Sequence, residues 1–349
     1  MIPVFDGHND YLQRAVAAGD QADSLWQDGD GTGHMDLPRL KQGGMVGGFF
    51  AIWVPAEENP NGADIARMME NPPYAVPLAA EIPHDPALPH AFRQAAALRR
   101  MERTGTLDVV TSAADIRNSI TDGRIAAIMH IEGAEAIRDM DALHLWHAAG
   151  LRSLGPVWSR PTIFGHGVPF AYPGGPDQGP GLSAAGQDLI RECNKLRIMV
   201  DLSHLNEAGF NDVARLSDAP LVASHSCVHA LCATPRNLTD RQLHAIADSG
   251  GLVGLNYGVS FLREDGRRIP FTGFAPILRH LDHLLGILGE DGVALGSDFD
   301  GALMPADLAD AAALPALIQA MSDHGYDAAL IRKIASENWI NLLQRTWGQ

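Results

Sequence analysis

Lysine is nearly missing from this 349-residue chain: Lys41, Lys195 and Lys333 stand against 15 histidines. Cysteine is as scarce. Cys193, Cys227 and Cys232 are odd in number and form no Cys-x-x-Cys pair, which suits a reducing compartment or buried thiols. Lys and Arg number 26 against 42 acidic residues, a net charge of −16, so a basic face for nucleic acid or anionic lipid is hard to build. No apolar run reaches the length of about eighteen residues that a membrane-spanning helix needs. The first residues, Met-Ile-Pro-Val-Phe-Asp, show neither a charged nor an apolar signal region, and Gln-Arg-Thr-Trp-Gly-Gln is no lipid-anchor tail. The expectation is a cytoplasmic protein with no membrane and no nucleic-acid partner. What is present, 46% hydrophobic and 19% charged residues, is globular composition in a chain long enough to bury a large core.

Short apolar or β-branched runs bounded by Gly, Asp or Pro predict strands at Ile2–Asp6, Met45–Val54, Ile125–Ile131, Leu151–Val157, Ile198–Leu202, Leu221–Ser224, Leu252–Asn256 and Val293–Ser297. Helical patterns fall between most of them, at Ala91–Arg103, Ala114–Ser119, Asp141–Ala149, Ser183–Leu196, Asn206–Leu216, Thr239–Asp248 and Phe274–Leu288, with two more at Asp307–Asp323 and Asp327–Thr346. Ser203, Asn206 and Thr239 are candidate caps. This alternation predicts an α/β fold, a (β/α)8 TIM barrel occupying residues 1–349 as one domain; a doubly wound open sheet is the alternative. The Pro-, Asn- and Glu-rich stretch from Pro55 to Pro89 is far longer than the usual βα connection of about 2–6 residues. It reads as an insertion of loop and helix within about 55–104, a lid, a subunit contact or a plain surface excursion.

Barrel enzymes carry their sites at the carboxyl ends of the strands. Here those ends read Asp6-Gly-His8-Asn-Asp10, His130-Ile-Glu132-Gly, Val157-Trp158-Ser-Arg160, Asp201-Leu-Ser-His204, Ser224-His225-Ser and Ser297-Asp298-Phe-Asp300-Gly. A lone strand-end His is usually a hydrogen-bonded core residue. Histidines and carboxylates at most ends of one barrel point instead to a metal site, because buried charge needs a partner or an ion. His8 and Asp10, two apart on an extended chain, face one side and can chelate one ion. His204 and His225, from neighbouring strands, can hold a second. Glu132 lies between the two sets and can bridge them. The scarcity of lysine matters here: no Lys sits at a strand end, which removes a carbamylated-lysine bridge. Such N and O donors suit two Zn²⁺, and Mn²⁺, Fe²⁺ or Co²⁺ also fit.

Two ions a few ångströms apart can share a hydroxide and polarise a carbonyl, which is hydrolytic chemistry. Asp298 could move the proton to a leaving amine; a further metal ligand or a structural acceptor are its other readings, and Asp300 is left unassigned. Arg236, in Thr-Pro-Arg-Asn-Leu, could fork onto a substrate carboxylate, although a surface ion pair is the plainer reading.

Taken together, Asp-Gly-His8-Asn-Asp10, Ile-Glu132-Gly, Val-Asp-Leu-Ser-His204, Ala-Ser-His225-Ser, Arg236-Asn-Leu and Gly-Ser-Asp298-Phe-Asp-Gly resemble, in order, the motifs of the membrane (renal) dipeptidases, peptidase family M19. The resemblance implies a barrel of the metal-dependent amidohydrolase type with two zinc ions, His8 and Asp10 on one, His204 and His225 on the other, and Glu132 bridging. It implies Asp298 as proton shuttle and Arg236 on the C-terminal carboxylate of a dipeptide, often with a D-residue there. A homodimer is compatible with it. One departure stands out. Where the family has a His after strand four, this chain has Trp158, whose indole donates a hydrogen bond but cannot titrate. His166, eight residues on, is the candidate to reach the substrate in its place.

The leading expectation is therefore a binuclear zinc dipeptidase in which a metal-bridging hydroxide attacks the peptide carbonyl. Another amidohydrolase, an N-acyl amino acid deacylase or a lactonase, is the alternative within hydrolases. A metal-dependent barrel isomerase or lyase, or a non-catalytic metal binder, is the alternative outside them.

Overall fold

Strand patterns this regular close on themselves. In the computed structural model, which describes residues 1–55 and 62–348, eight parallel strands form the barrel: β1 (Val4–Asn9), β2 (Met45–Trp53), β3 (Ile125–Glu132), β4 (Leu151–Gly155), β5 (Met199–Val200), β6 (Val222–Ser226), β7 (Leu252–Leu255) and β8 (Val293–Leu295). All eight predicted strands are present, with ends shifted by a few residues. β1 to β5 form one sheet and β6 to β8 another. Single parallel bridges, Asp201 to Val222 and Asn9 to Phe299, join the two sheets into a (β/α)8 barrel. A three-residue strand, Leu107–Val109, adds to the lower half of β3.

The strands read as near-continuous apolar runs because both their faces are covered. Inside, Phe5, Phe49, Ile128, Met199 and Ala294 pack on Trp339 of the C-terminal helix, which closes the floor. The Trp339 indole is fully buried and donates to the Leu295 carbonyl at 2.8 Å. Gly254 is required there, since a Cβ would meet both the Trp339 ring and the Ser224 carbonyl. The outer layer is a second apolar cluster between strands and helices.

Helices Ala184–Leu196, Glu207–Leu216 and Asp240–Asp248 begin where Ser183, Asn206 and Thr239 accept from Gly186, Gly209 and Gln242 backbone N–H groups. Ser203 caps nothing; its hydroxyl instead accepts from the His225 amide at 3.1 Å. Three helices between β1 and β2, each seven residues long (Tyr11–Ala17, Ala22–Asp28, Leu37–Gly43), are too short to show a helical period in the sequence.

Part of the Pro55–Pro89 stretch, residues 56–61, lies outside the described residues. The rest carries helix Gly62–Met69, strand Tyr74–Ala75 and the start of helix His84–Glu102. Tyr74–Ala75 pairs antiparallel with Ala171–Tyr172 of the β4–β5 connection. Tyr74 donates to Gly266 and the Arg268 amide to Met69, so the insertion is stapled to the β7–β8 loop over the carboxyl ends of the strands. Among the described residues no helix is long and apolar enough to cross a membrane.

Candidate metal centre and active site

The strand ends bring five of the predicted residues to one point. His8 Nε2 lies 3.4 Å from Asp10 Oδ2 and 3.6 Å from Glu132 Oε1. The same Glu132 oxygen lies 3.0 Å from His204 Nε2 and 3.3 Å from His225 Nε2. Two donor sets thus share Glu132: His8 with Asp10, and His204 with His225, each set's ligand atoms within 4.8 Å of one another. His8, Asp201 and His225 also cluster within 4.8 Å. Asp201, however, already accepts from the amides of Ser203 and Ser224 and from the Ser224 hydroxyl.

Hydrogen bonding fixes the imidazoles. Ser224 donates its proton to Asp201 and lies 2.8 Å from His225 Nδ1, so towards the ring it accepts, and Nδ1 carries the hydrogen. Nε2 is left as a bare lone pair. Ser159 lies 2.8 Å from His204 Nδ1 and orients that ring. Burial, then the nearby Arg236 and His8, push the pKa values of His204 and His225 well below the usual imidazole range, so both rings are neutral, as ligands must be.

The donor set fits divalent ions on this geometry. His204 and His225 place their Nε2 atoms 3.1 Å apart. Both nitrogens of His8, which is 0% exposed, lack any hydrogen-bond partner. An orphaned buried imidazole beside two carboxylates and two inward-facing nitrogens is the signature of a site built around cations. The acid groups call for the same charge. Burial works against a charged His8, but Glu132, Asp10 and Asp298 outweigh it and hold its pKa up to about 10; a cation bound there would displace that proton and leave the ring a neutral ligand.

Asp298 sits beside this cluster, 8% exposed, on a left-handed backbone turn with φ 62°. Asn256, at the end of β7, donates to its Oδ2 at 2.8 Å. Burial raises the Asp298 pKa, with Asp10 adding to the rise and His8 opposing it. A Cβ on Gly301 would strike the carboxylates of both Asp10 and Asp298, so glycine is what allows them to converge.

A cavity of about 290 Å³ opens onto Asp10, Glu132, His204 and Asp298. Its side walls are apolar and include Trp53, Trp158, Phe170 and Phe261. Trp158 lies 5.1 Å from Trp53 and 5.8 Å from the His204 ring, centroid to centroid. The fully buried Arg160 holds both indoles, its guanidinium 5.6 Å from Trp53 and 5.2 Å from Trp158 while paired with Glu135. Arg236 is no surface ion pair. It is 3% exposed, donates to the His225 carbonyl at 3.1 Å and stacks on Phe261 at 5.4 Å. Arg236 does not itself line the cavity; Phe261 does, and the Arg236 Nε has no partner. His166 is not brought to the cavity: its carbonyl accepts from the Asn206 amide and Gly179 packs near its Cβ.

A family model, membrane dipeptidase (peptidase family M19), matches residues 1–347. The chain belongs to that family. It is therefore a metallo-dipeptidase, a hydrolase of peptide bonds. A metallo peptidase from Rhodobacter sphaeroides, crystallised with a phosphinate mimic of the dipeptide L-Ala-D-Ala, is 58% identical with TM-score 0.98 over 99% of both chains. A solved structure of a family M19 dipeptidase AC is 57% identical with TM-score 0.97 over 100% of this chain and 99% of its own. An uncharacterized protein in the pqqA 5′ region of Klebsiella pneumoniae is 47% identical over 274 residues, 77% of this chain and 100% of that protein.

Proposed function

We propose that this family M19 enzyme cleaves dipeptides, L–D dipeptides among them, at a two-zinc centre bridged by Glu132. The observation that carries the reading is the single Glu132 oxygen shared by two donor sets at 3.0–3.6 Å. The R. sphaeroides relative, bound to its L-Ala-D-Ala mimic, supports the substrate class. His8 and Asp10 would hold one ion and His204 and His225 the other. When bound, such a pair supplies a hydroxide nucleophile at neutral pH and polarises the scissile carbonyl.

The chain's own residues do the rest. Asp298, whose pKa burial raises towards that of a proton carrier, accepts the nucleophile's proton as the carboxylate and returns it to the leaving amine. Asn256 fixes which oxygen of Asp298 faces the cluster. Arg236, buried behind Phe261, lends its positive charge to the side of the cavity that takes the α-carboxylate of the substrate. Trp53 and Trp158 form an apolar wall that limits water around the reacting bond. Trp158 replaces a titratable group, so no proton passes through that position. The test is hydrolysis of L–L and L–D dipeptides by the zinc-loaded enzyme and by His204→Ala. Turnover by the parent and its collapse in the variant are expected; full activity in His204→Ala would overturn the two-ion assignment.

A further inference from the structure

One wall of the cavity carries a cation that the peptide-bond chemistry does not use. Among its described lining residues, Arg268 is the sole Lys or Arg, set against Asp10, Glu132, Asp298 and Asp300. It lies on the β7–β8 loop, and its backbone is pinned by its amide's 2.9 Å bond to the Met69 carbonyl. The neighbouring arginines are committed elsewhere. Arg263 forks onto both oxygens of Asp265, and Arg267 donates to the Glu70 carbonyl. Among the described residues, no carboxylate lies within ion-pair distance of Arg268 and no acceptor bonds its guanidinium.

A half-buried arginine on a cavity wall meets less competition from bulk water than one on the open surface, so an anion there gains more than it would at the surface. With the α-carboxylate drawn by the charge of Arg236 to the Phe261 side of the cavity, the anion left for Arg268 is one on a substrate side chain. From this placement we infer that Arg268 selects dipeptides bearing an acidic side chain, Asp or Glu, over their neutral amides. The inference rests on the dipeptidase reading above. Asp and Asn, or Glu and Gln, have nearly the same shape, so the apolar walls Ile65 and Met69 cannot tell them apart; charge can.

The experiment compares kcat/KM for Ala-Glu with Ala-Gln and for Asp-Ala with Asn-Ala, in both C-terminal configurations. It uses zinc-loaded parent enzyme, Arg268→Met, Arg268→Lys and Arg268→Glu. The expected result is an acidic-over-neutral ratio of about tenfold or more at one of the two positions, the size of one charge-assisted bond. That ratio should collapse towards one in Arg268→Met, be partly kept in Arg268→Lys and invert in Arg268→Glu. Turnover of the neutral dipeptides reports folding and the basic activity in the same assay. Neutral dipeptides cleaved with no acidic preference, or a preference untouched by Arg268→Met, would overturn the inference alone. Equal loss of acidic and neutral dipeptides in Arg268→Met would also overturn it, by placing the α-carboxylate there. No cleavage of any dipeptide by the parent would overturn the dipeptidase reading, and the inference with it.

Discussion

The hydroxyl of Ser224 lies 2.8 Å from Nδ1 of the next residue, His225, and hands its own proton to Asp201. Adjacent residues on a strand would normally point to opposite faces, and the small side chain of serine lets its oxygen turn towards the ring beside it. The result is a tautomer lock on a metal-ligand candidate. Ser224→Ala removes the lock while keeping the ligand. Metal affinity should fall by about 10–100-fold, the usual cost of losing an orienting partner. Competition with a chelator of known affinity measures it.

Asp298→Asn keeps the shape of the side chain and its place beside Asn256 but cannot carry the proton. Turnover of a dipeptide should fall by about 10²–10⁴-fold, as for loss of a general acid–base group. Metal content should stay at the parent value. Steady-state kinetics with elemental analysis on the same preparation separates this from loss of a ligand.

Arg236 is buried between Phe261 and the His225 carbonyl, so its effect should be specific to substrates with a free carboxylate. Arg236→Met should raise KM for a dipeptide by about tenfold, corresponding to about 1.4 kcal/mol for a charge acting across the Phe261 wall. The matching dipeptide amide should be far less affected by the variant. A KM comparison of the acid and amide pair checks this.

His280 buttresses the loop that carries Arg236. Its Nδ1 accepts from the Val228 amide at 3.0 Å and its Nε2 donates to the Leu262 carbonyl at 3.1 Å. Burial lowers its pKa from 6.5 to about 4. Between these two values the unfolded chain binds a proton that the folded chain refuses. Stability from this group is complete above pH 6.5 and is lost as pH falls towards 4. The full effect is about 3 kcal/mol. Urea unfolding from pH 7 to pH 4 should show a shallower acid-side decline in His280→Gln than in the parent.

Much of this site was legible because metal chemistry leaves coarse marks. His8, Glu132, His204, His225 and Asp298 are charged or titratable residues at strand ends, where burial is otherwise unfavourable, and the structure brings all of them together. The residues that orient them were not legible. Ser159, Ser224 and Asp201 are ordinary residues until their hydrogen bonds are seen, although Asp201 stood in plain view inside the His204 motif. Asn256 had a readable signal, a polar residue at the end of β7, that the strand-end reading passed over. Arg236 reads as a surface group in isolation; only the packing of Phe261 over it shows that it is buried. His166, proposed from its nearness in sequence to Trp158, is not among the residues lining the cavity; its loop is tied through its own carbonyl to the Asn206 amide, and such tertiary bonds set a loop's direction. Likewise, nothing in the composition of the insertion said that Ile65 and Met69 would wall the cavity; that follows from its pairing with Ala171–Tyr172.

The shared Glu132 is the centre of this account, and metal stoichiometry tests it most directly. Apo-enzyme titrated with zinc should bind two ions per chain, with dipeptide turnover appearing as the second site fills. Glu132→Gln should weaken both sites together and abolish turnover. One ion per chain at full activity, or two tight ions retained in Glu132→Gln, would contradict a bridged two-ion centre.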